Sequence, residues 1–118
     1  MRLGYCGVGI DRRTAMKRKA KMSKTFVAMS VAGPKRDLTK GSREQPYWNE
    51  HARFIDGIIP GFIIMGGPFD DEGGAMLIVR AENEDEVREK LRPDPWYAQG
   101  ILQLQSIRRW DIFIDERG

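Results

Sequence analysis

Residues 48–69 change period once, and that change limits what the chain can build. Trp48, Ala52, Ile55 and Ile58 or Ile59 recur at steps of three and four, the spacing of one apolar helix face. Gly61 interrupts the pattern, and Phe62-Ile63-Ile64-Met65 follows as a continuous apolar run, the mark of a buried strand. A helix feeding into a buried strand needs a sheet to pack on, and the flanking segments supply it. Thr25 to Ala32 is apolar at both parities (Phe26, Val27, Ala28, Met29, Val31) and is closed by Gly33-Pro34. Ala75 to Ala81 pairs with residues 62–65 across the wide turn Asp70-Asp71-Glu72-Gly73-Gly74. Gly66-Gly67-Pro68 ends or bulges the second strand, since glycine frees the backbone and proline lacks a ladder donor.

Turn and cap chemistry places the remaining elements. Lys35 to Gln45 is polar and reads as a loop. Pro46 fits the first turn of the helix, where its missing N–H has no partner to lose, so the spacing predicts a helix over 46–59. Asn83, with Glu86 three residues on, caps a second helix that runs to Leu91 with a narrow apolar stripe of Val87 and Leu91. Arg92-Pro93-Asp94-Pro95-Trp96 is a rigid turn, and residues 97–100 make one short helical turn. Residues 101–114 form the last strand region, with Arg108-Arg109 marking a bulge or break.

The order β-α-β-β-α-β predicts an α+β domain of the ferredoxin-like split motif: a four-stranded antiparallel sheet with helices on one face. A sheet with one wet face alternates apolar and polar residues, and the first and third strands do not. Two helices cover one face only. A second copy of the chain is the simplest cover for the other, so the expected assembly is a homodimer packed sheet to sheet.

Charge divides the chain in two. Residues 1–24 carry eight Lys or Arg and one acid, Asp11. Out of the chain's net +3, that basic segment leaves residues 25–118 at −4. The expected division is a basic, disordered N-terminal extension over 1–24 and a single domain over 25–118. The extension reads either as an arm for RNA, DNA or anionic lipid, or as residues ahead of a later start at Met16 or Met22. The acidic domain is a poor nucleic-acid binder, because phosphate affinity rests on Lys and Arg. No apolar run approaches the ~18–20 residues of a membrane span, and no signal-peptide pattern precedes the domain. Cys6 is the only cysteine, so no internal disulfide and no Cys/His zinc cluster can form. A cytoplasmic setting and a cofactor-free chain are the expectation.

His51, the only histidine, lies on or beside the apolar face of the first helix, one turn from Ile55. It is either a satisfied core residue or the centre of a site. Its natural partner is Asp94. An imidazole near pKa ~6.5 takes and returns protons at neutral pH, and a neighbouring carboxylate fixes its tautomer. In a split motif the first helix and the segment after the second lie on the same side of the sheet. Asp94 also reads as a cap on the turn that follows it, and the two roles are compatible. The glycines at 66–67 and 73–74 lack the lysine and the helix of a phosphate loop, and Asp70, Asp71 and Glu72 between them would repel phosphate. Those three acids are otherwise a solvated turn or a hard-cation site. Trp48, Trp96 and Trp110 are core or interface residues, or line a pocket for a planar ligand. Ser42, Ser106 and Tyr97 are further polar contacts.

The series Trp48-x-x-His51-x-x-Phe54, Gly61, Gly66-Gly67-Pro68, and Asp94-Pro95-Trp96 with Gly100 behind it resembles the YciI-like (YCII-related domain) proteins over about residues 25–115. The resemblance implies a ferredoxin-like fold that dimerises as an α/β barrel. It also implies a pocket with a His–Asp dyad, mapping to His51 and Asp94. One branch of the family is similar to enzymes that remove chloride from chlorinated hydroxyhydroquinones, and the fold is shared with muconolactone isomerases. The expected function is proton transfer by His51, oriented by Asp94, on a small aromatic or lactone-like substrate, as an isomerase or lyase. Trp48, Gly66, Gly67, Pro68 and Trp96 would line the substrate pocket. The alternative is a dimeric module that binds a small ligand without turning it over.

Overall fold

The computed structural model describes residues 24–117. The basic extension, with Cys6, Met16 and Met22, lies outside the described residues, except that Lys24 is already the first residue of a strand. Strand β1 spans Lys24–Ala32, helix α1 Trp48–Ile58, β2 Ile63–Pro68, β3 Gly74–Ala81, α2 Glu84–Leu91, the single-turn α3 Pro95–Ala98, and β4 Leu102–Arg109. A 3-10 turn at Ser42–Glu44 interrupts the loop before α1. The four strands form one antiparallel sheet in the order β2-β3-β1-β4, an arrangement compatible with the expected split motif.

The core lies between the sheet and the helices. Phe26 and Ala28 of β1, Ile63 of β2, Val79 and Ala81 of β3 and Ile107 of β4 are buried with Val87 and Leu91 of α2, and Ile55 and Ile58 of α1 pack against them. Strand geometry sends alternate side chains to the opposite face, so Val27, Met29, Met76 and Ile78 point away from the helices. Met76 remains 37% exposed there. Asn83 Oδ1 accepts from the Glu86 N–H at 2.9 Å and caps α2. Glu86 reaches back to the N–H of Glu82 rather than to that of Asn83, so the return bond from the third helical residue to the cap is displaced by one residue.

Several local expectations are corrected. The short helical turn expected over 97–100 lies at Pro95–Ala98, because Pro95 starts it directly after the Asp94 cap. Helix α1 begins at Trp48, not Pro46: Tyr47 sits in the left-handed region (φ 65°, ψ 19°) and breaks the path from Pro46 into the helix. Gly66-Gly67-Pro68 pair regularly with β3 rather than ending the strand at Met65 or bulging it: β2 runs to Pro68, and its irregularity falls earlier, between Ile63 and Met65. A Cβ on Gly66 would collide with the Leu77 side chain and the Met76 carbonyl, so glycine is what lets β2 approach β3. Pro68 is tolerated because β2 is an edge strand. The break in the last strand falls at Gln105, not Arg108-Arg109. Ser106 faces Met29 and Leu104 faces Ser30, leaving Gln105 as the extra residue of a bulge. That bulge switches the inward parity from Leu102 and Leu104 to Ile107. The strand stops at Arg109, and Phe113 and Ile114 are over 90% exposed.

Leu91, 1% exposed, joins α2 to the centre of the core. Leu91→Ala is expected to cost about 2–5 kcal/mol in urea denaturation through lost burial and the cavity left behind. Leu38→Ala, at an 81% exposed site, is expected to change stability by no more than about 0.5 kcal/mol.

Candidate functional site

Asp94 is 0% exposed and carries a carboxylate that must be satisfied inside the protein. Its position follows from local sequence. Asp94 N–H donates to the Leu91 carbonyl at the end of α2, and Pro95 starts α3 directly after it. Asp94 Oδ1 accepts from the Trp96 N–H at 2.9 Å, the N-cap contact of α3. Both carboxylate oxygens also lie 2.9 Å from His51 Nδ1. The cap and the dyad are therefore one arrangement, and the two readings of Asp94 coexist.

His51 reaches this carboxylate from the first turn of α1. The Trp96 indole stacks on the imidazole with ring centroids 3.8 Å apart and planes 6° from parallel. Trp48 packs tilted against both rings, at 5.8 Å from His51 and 5.6 Å from Trp96. Trp96 is locked in turn by its Nε1–H, which donates to the Pro46 carbonyl at 2.8 Å. Pro46 thus acts through its carbonyl, not as a helix start. With Nδ1 committed to a carboxylate, which accepts only, the ring holds its proton on Nδ1. Nε2 has no protein partner among the described residues. His51 retains 14% side-chain exposure, and the residue lines the cavity described next.

No residue of α1 is fully buried. A cavity of about 550 Å³ opens beside it, within the usual range for small-molecule sites. His51, Asp94, Trp48, Trp96, Gly66, Gly67 and Pro68 all line it, so the residues singled out in the sequence are brought together. Trp110 is not among its walls. The two glycines differ. The space beside Gly66 is taken by Leu77, whereas a Cβ on Gly67 would meet nothing within 4 Å. Among the described residues, no three His, Cys, Asp or Glu side chains group in a way that could hold a metal ion, and no helix is long and apolar enough to cross a membrane.

Ser42, expected as a polar contact, and Glu72, one of the three turn acids, also lie in the wall, whereas Arg36 beside them was not legible as a site residue. Arg36, Ser42 and Glu72 meet at the cavity: Arg36 Nη2 donates to Glu72 Oε1 at 2.6 Å, and Ser42 Oγ donates to the same oxygen at 3.2 Å. Buried Gln45 holds this loop in shape, donating to the carbonyls of Asp37 and Lys40 and accepting from the Asp37 N–H. The Thr39 hydroxyl and backbone N–H hold the nearby Asp37 carboxyl below its usual range. The available signal was an arginine four residues beyond the end of a central strand closed by Gly33-Pro34, and its meaning depends on where the distant Glu72 turn comes to rest.

Tyr97 adds a neutral polar contact. Its hydroxyl lies 2.6 Å from Ser30 Oγ, and Ser30 is 2% exposed. Burial pushes the phenol up to about 12, the Ser30 hydrogen bond opposes the rise, and the Asp94 charge adds to it. A phenol raised from its ordinary ~10 contributes stability that is whole below pH ~10 and is lost as pH climbs through the folded value. The wild type is therefore expected to lose stability in urea between pH 10 and 12, and Tyr97→Phe to lose less over the same interval. At pH 7 that substitution is expected to cost about 1–2 kcal/mol, because it leaves the buried Ser30 hydroxyl unpaired.

Compared with known proteins, the chain matches no family model, no curated protein and no solved structure.

Proposed function

We propose that the cavity is the active site of a small YciI-like enzyme in which His51 Nε2 moves a proton on a bound substrate. The observation that carries this reading is the buried Asp94 carboxylate on His51 Nδ1, with Nε2 left without a protein partner at the cavity. A histidine kept only for packing gains nothing from an unpartnered ring nitrogen beside an open space.

The chemistry follows from the donor and acceptor roles. Nδ1–H donates to Asp94, so the Nε2 lone pair is available as a general base. When Nε2 takes a proton, the imidazolium lies against a desolvated carboxylate, and its charge is offset without solvent reorganisation. The Trp96 face prevents the ring from turning. Returning the proton to another atom of the substrate gives isomerisation, and losing an adjacent leaving group gives elimination. The apolar walls, Trp48, Ile55 and Leu77, suit a flat aromatic or lactone-like substrate. The second reading, a module that binds such a ligand without reaction, is favoured by one observation: Asp94 and Trp96 already have structural work in capping and locking α3.

The assembly reading belongs to the same proposal. A second copy covers the apolar sheet face of Val27, Met29, Met76 and Ile78, giving a ferredoxin-like domain dimerised sheet to sheet. Sedimentation is expected to show two chains for the wild type. Met76→Lys is expected to shift it to one chain; an unchanged dimer would place the contact elsewhere.

Deuterium wash-in from D2O, followed by proton NMR on a panel of butenolides and chlorinated hydroquinones, tests the proton transfer. The wild type is expected to exchange an activated carbon position of at least one compound. His51→Ala should remove that exchange, and Asp94→Asn should slow it by about 10²–10⁴-fold, the scale of an oriented general base. Binding without exchange would favour the ligand-binding module.

A further inference from the structure

We infer that Arg36 is the anchor for an anionic group, a carboxylate in the first instance, on the ligand that the cavity takes. This extends the reading of the cavity as a small-molecule site by naming the charge its ligand carries, and it does not require the ligand to react.

The argument starts from the burial of a permanent charge. The Arg36 side chain is only 4% exposed, although arginine keeps its charge at every accessible pH. A guanidinium taken out of water needs its donors filled, and here they are not. Nη2 serves Glu72 at 2.6 Å and Ser42 at a long 3.4 Å. Nε is buried and has no partner, and it is the only buried side-chain nitrogen or oxygen among the described residues left in that condition. Carboxylates pair best with arginine through two parallel bonds, and Glu72 supplies one oxygen only.

Glu72 is also an unusual permanent counter-ion. It is 45% exposed, far more than the cation it pairs with. It sits on the turn between β2 and β3 with φ 63°, in the left-handed region that non-glycine residues seldom occupy. Its single bonded oxygen is shared between Arg36 and Ser42. A half-exposed carboxylate holding one edge of a buried guanidinium resembles a resident competitor. A ligand carboxylate entering the cavity has two oxygens to offer against the one that Glu72 gives, and the half-exposed Glu72 carboxylate regains water as it is displaced.

The placement is consistent with this role. Arg36, Ser42 and Glu72 line the same cavity as His51 and Asp94. Asp94 already answers the charge that His51 acquires, so the dyad gains nothing from a ligand anion. Arg36 is the buried cation whose donors remain unfilled. Arg43, the other arginine of the wall, lies over the Trp48 ring at 6.0 Å and is exposed to solvent.

Benzoate and benzamide test the inference, since they match in shape and differ in charge at neutral pH. Binding is read from the indole N–H signals of Trp48 and Trp96 in nitrogen-correlated NMR spectra, with Trp110, outside the cavity, as internal control. The wild type is expected to bind benzoate about tenfold or more tightly than benzamide, the scale of a charged hydrogen-bonded pair. Arg36→Gln should erase that preference, and Arg36→Lys should restore part of it. Glu72→Gln, which keeps the arginine and removes its competitor, should tighten benzoate and leave benzamide unchanged; it also serves as the decisive variant where Arg36→Gln does not fold. Benzoate binding no better than benzamide in the wild type overturns the inference, as does a preference that survives Arg36→Gln or an unchanged benzoate affinity in Glu72→Gln. His51→Ala separates the two proposals. Benzoate preference retained there, with no deuterium wash-in by the wild type, leaves the anion site standing and removes the proton-transfer reading. Wash-in on neutral compounds with no benzoate preference does the reverse.

Discussion

The Asp94 carboxylate, wholly enclosed, is the constraint on which the site depends. A buried anion is costly unless it is answered by donors, and the fold answers it from two directions: the Trp96 backbone N–H and His51 Nδ1. Such pairs add little net stability, because desolvation consumes most of the attraction. What the pair does fix is distance. It holds the first turn of α1 against α3, and Trp96 completes the clamp by stacking on His51 and donating to Pro46. Removing one partner would leave a charge or an imidazole without its answer, so the two residues stand or fall together.

This clamp explains why α1 lacks a buried residue although its apolar spacing is strong. Its N-terminal turn is held at α3, while Ile55 and Ile58 further along rest on the sheet side of the core. The cavity is the space left by that geometry, walled by the β2–β3 hairpin, the 36–44 loop and the Asp94–Tyr97 turn. Its polarity is divided. The dyad lies at one group of walls, the Arg36–Glu72 pair at another, and aromatic and aliphatic side chains fill the remainder.

The legible part of this architecture was carried by residues whose chemistry is local. A solitary histidine at helical spacing, and an aspartate bracketed by Pro93 and Pro95, point to each other once both segments are placed on one side of a split motif. The capped helix at Asn83 is written in four consecutive residues. The parts that were misread depend on distant partners. Pro46 looked like a helix start because proline fits there, yet the left-handed Tyr47 and the pull of Trp96 on the Pro46 carbonyl set the boundary. Gly66-Gly67-Pro68 looked like a strand end or bulge because each residue disfavours a ladder, yet the room needed by Leu77 and the edge position of β2 keep all three paired with β3. The bulge at Gln105 has no signal of its own, since it is defined only by register against β1. Arg36 and Gln45 sit in a polar loop that composition cannot distinguish from a solvated one.

Backbone strain falls where the site is assembled. Among the described residues, only Tyr47 and Glu72 are non-glycine residues with positive φ. Each such residue costs on the order of 1 kcal/mol or more and persists only where surrounding contacts hold it. Tyr47 turns the chain so that its carbonyl accepts the His51 N–H at 2.8 Å and the helix begins with the imidazole facing Asp94. Glu72 turns the hairpin so that its carboxylate reaches a guanidinium that would otherwise have only Ser42. Neither conformation improves the core, because Tyr47 is exposed and Glu72 is half-exposed. Glu72 itself lines the cavity, and Tyr47 directly precedes the helix whose Trp48 and His51 line it. The strained Glu72 backbone and the buried Asp94 and Arg36 charges are therefore costs borne at the cavity wall rather than in the core, and they are what place polar groups along that wall.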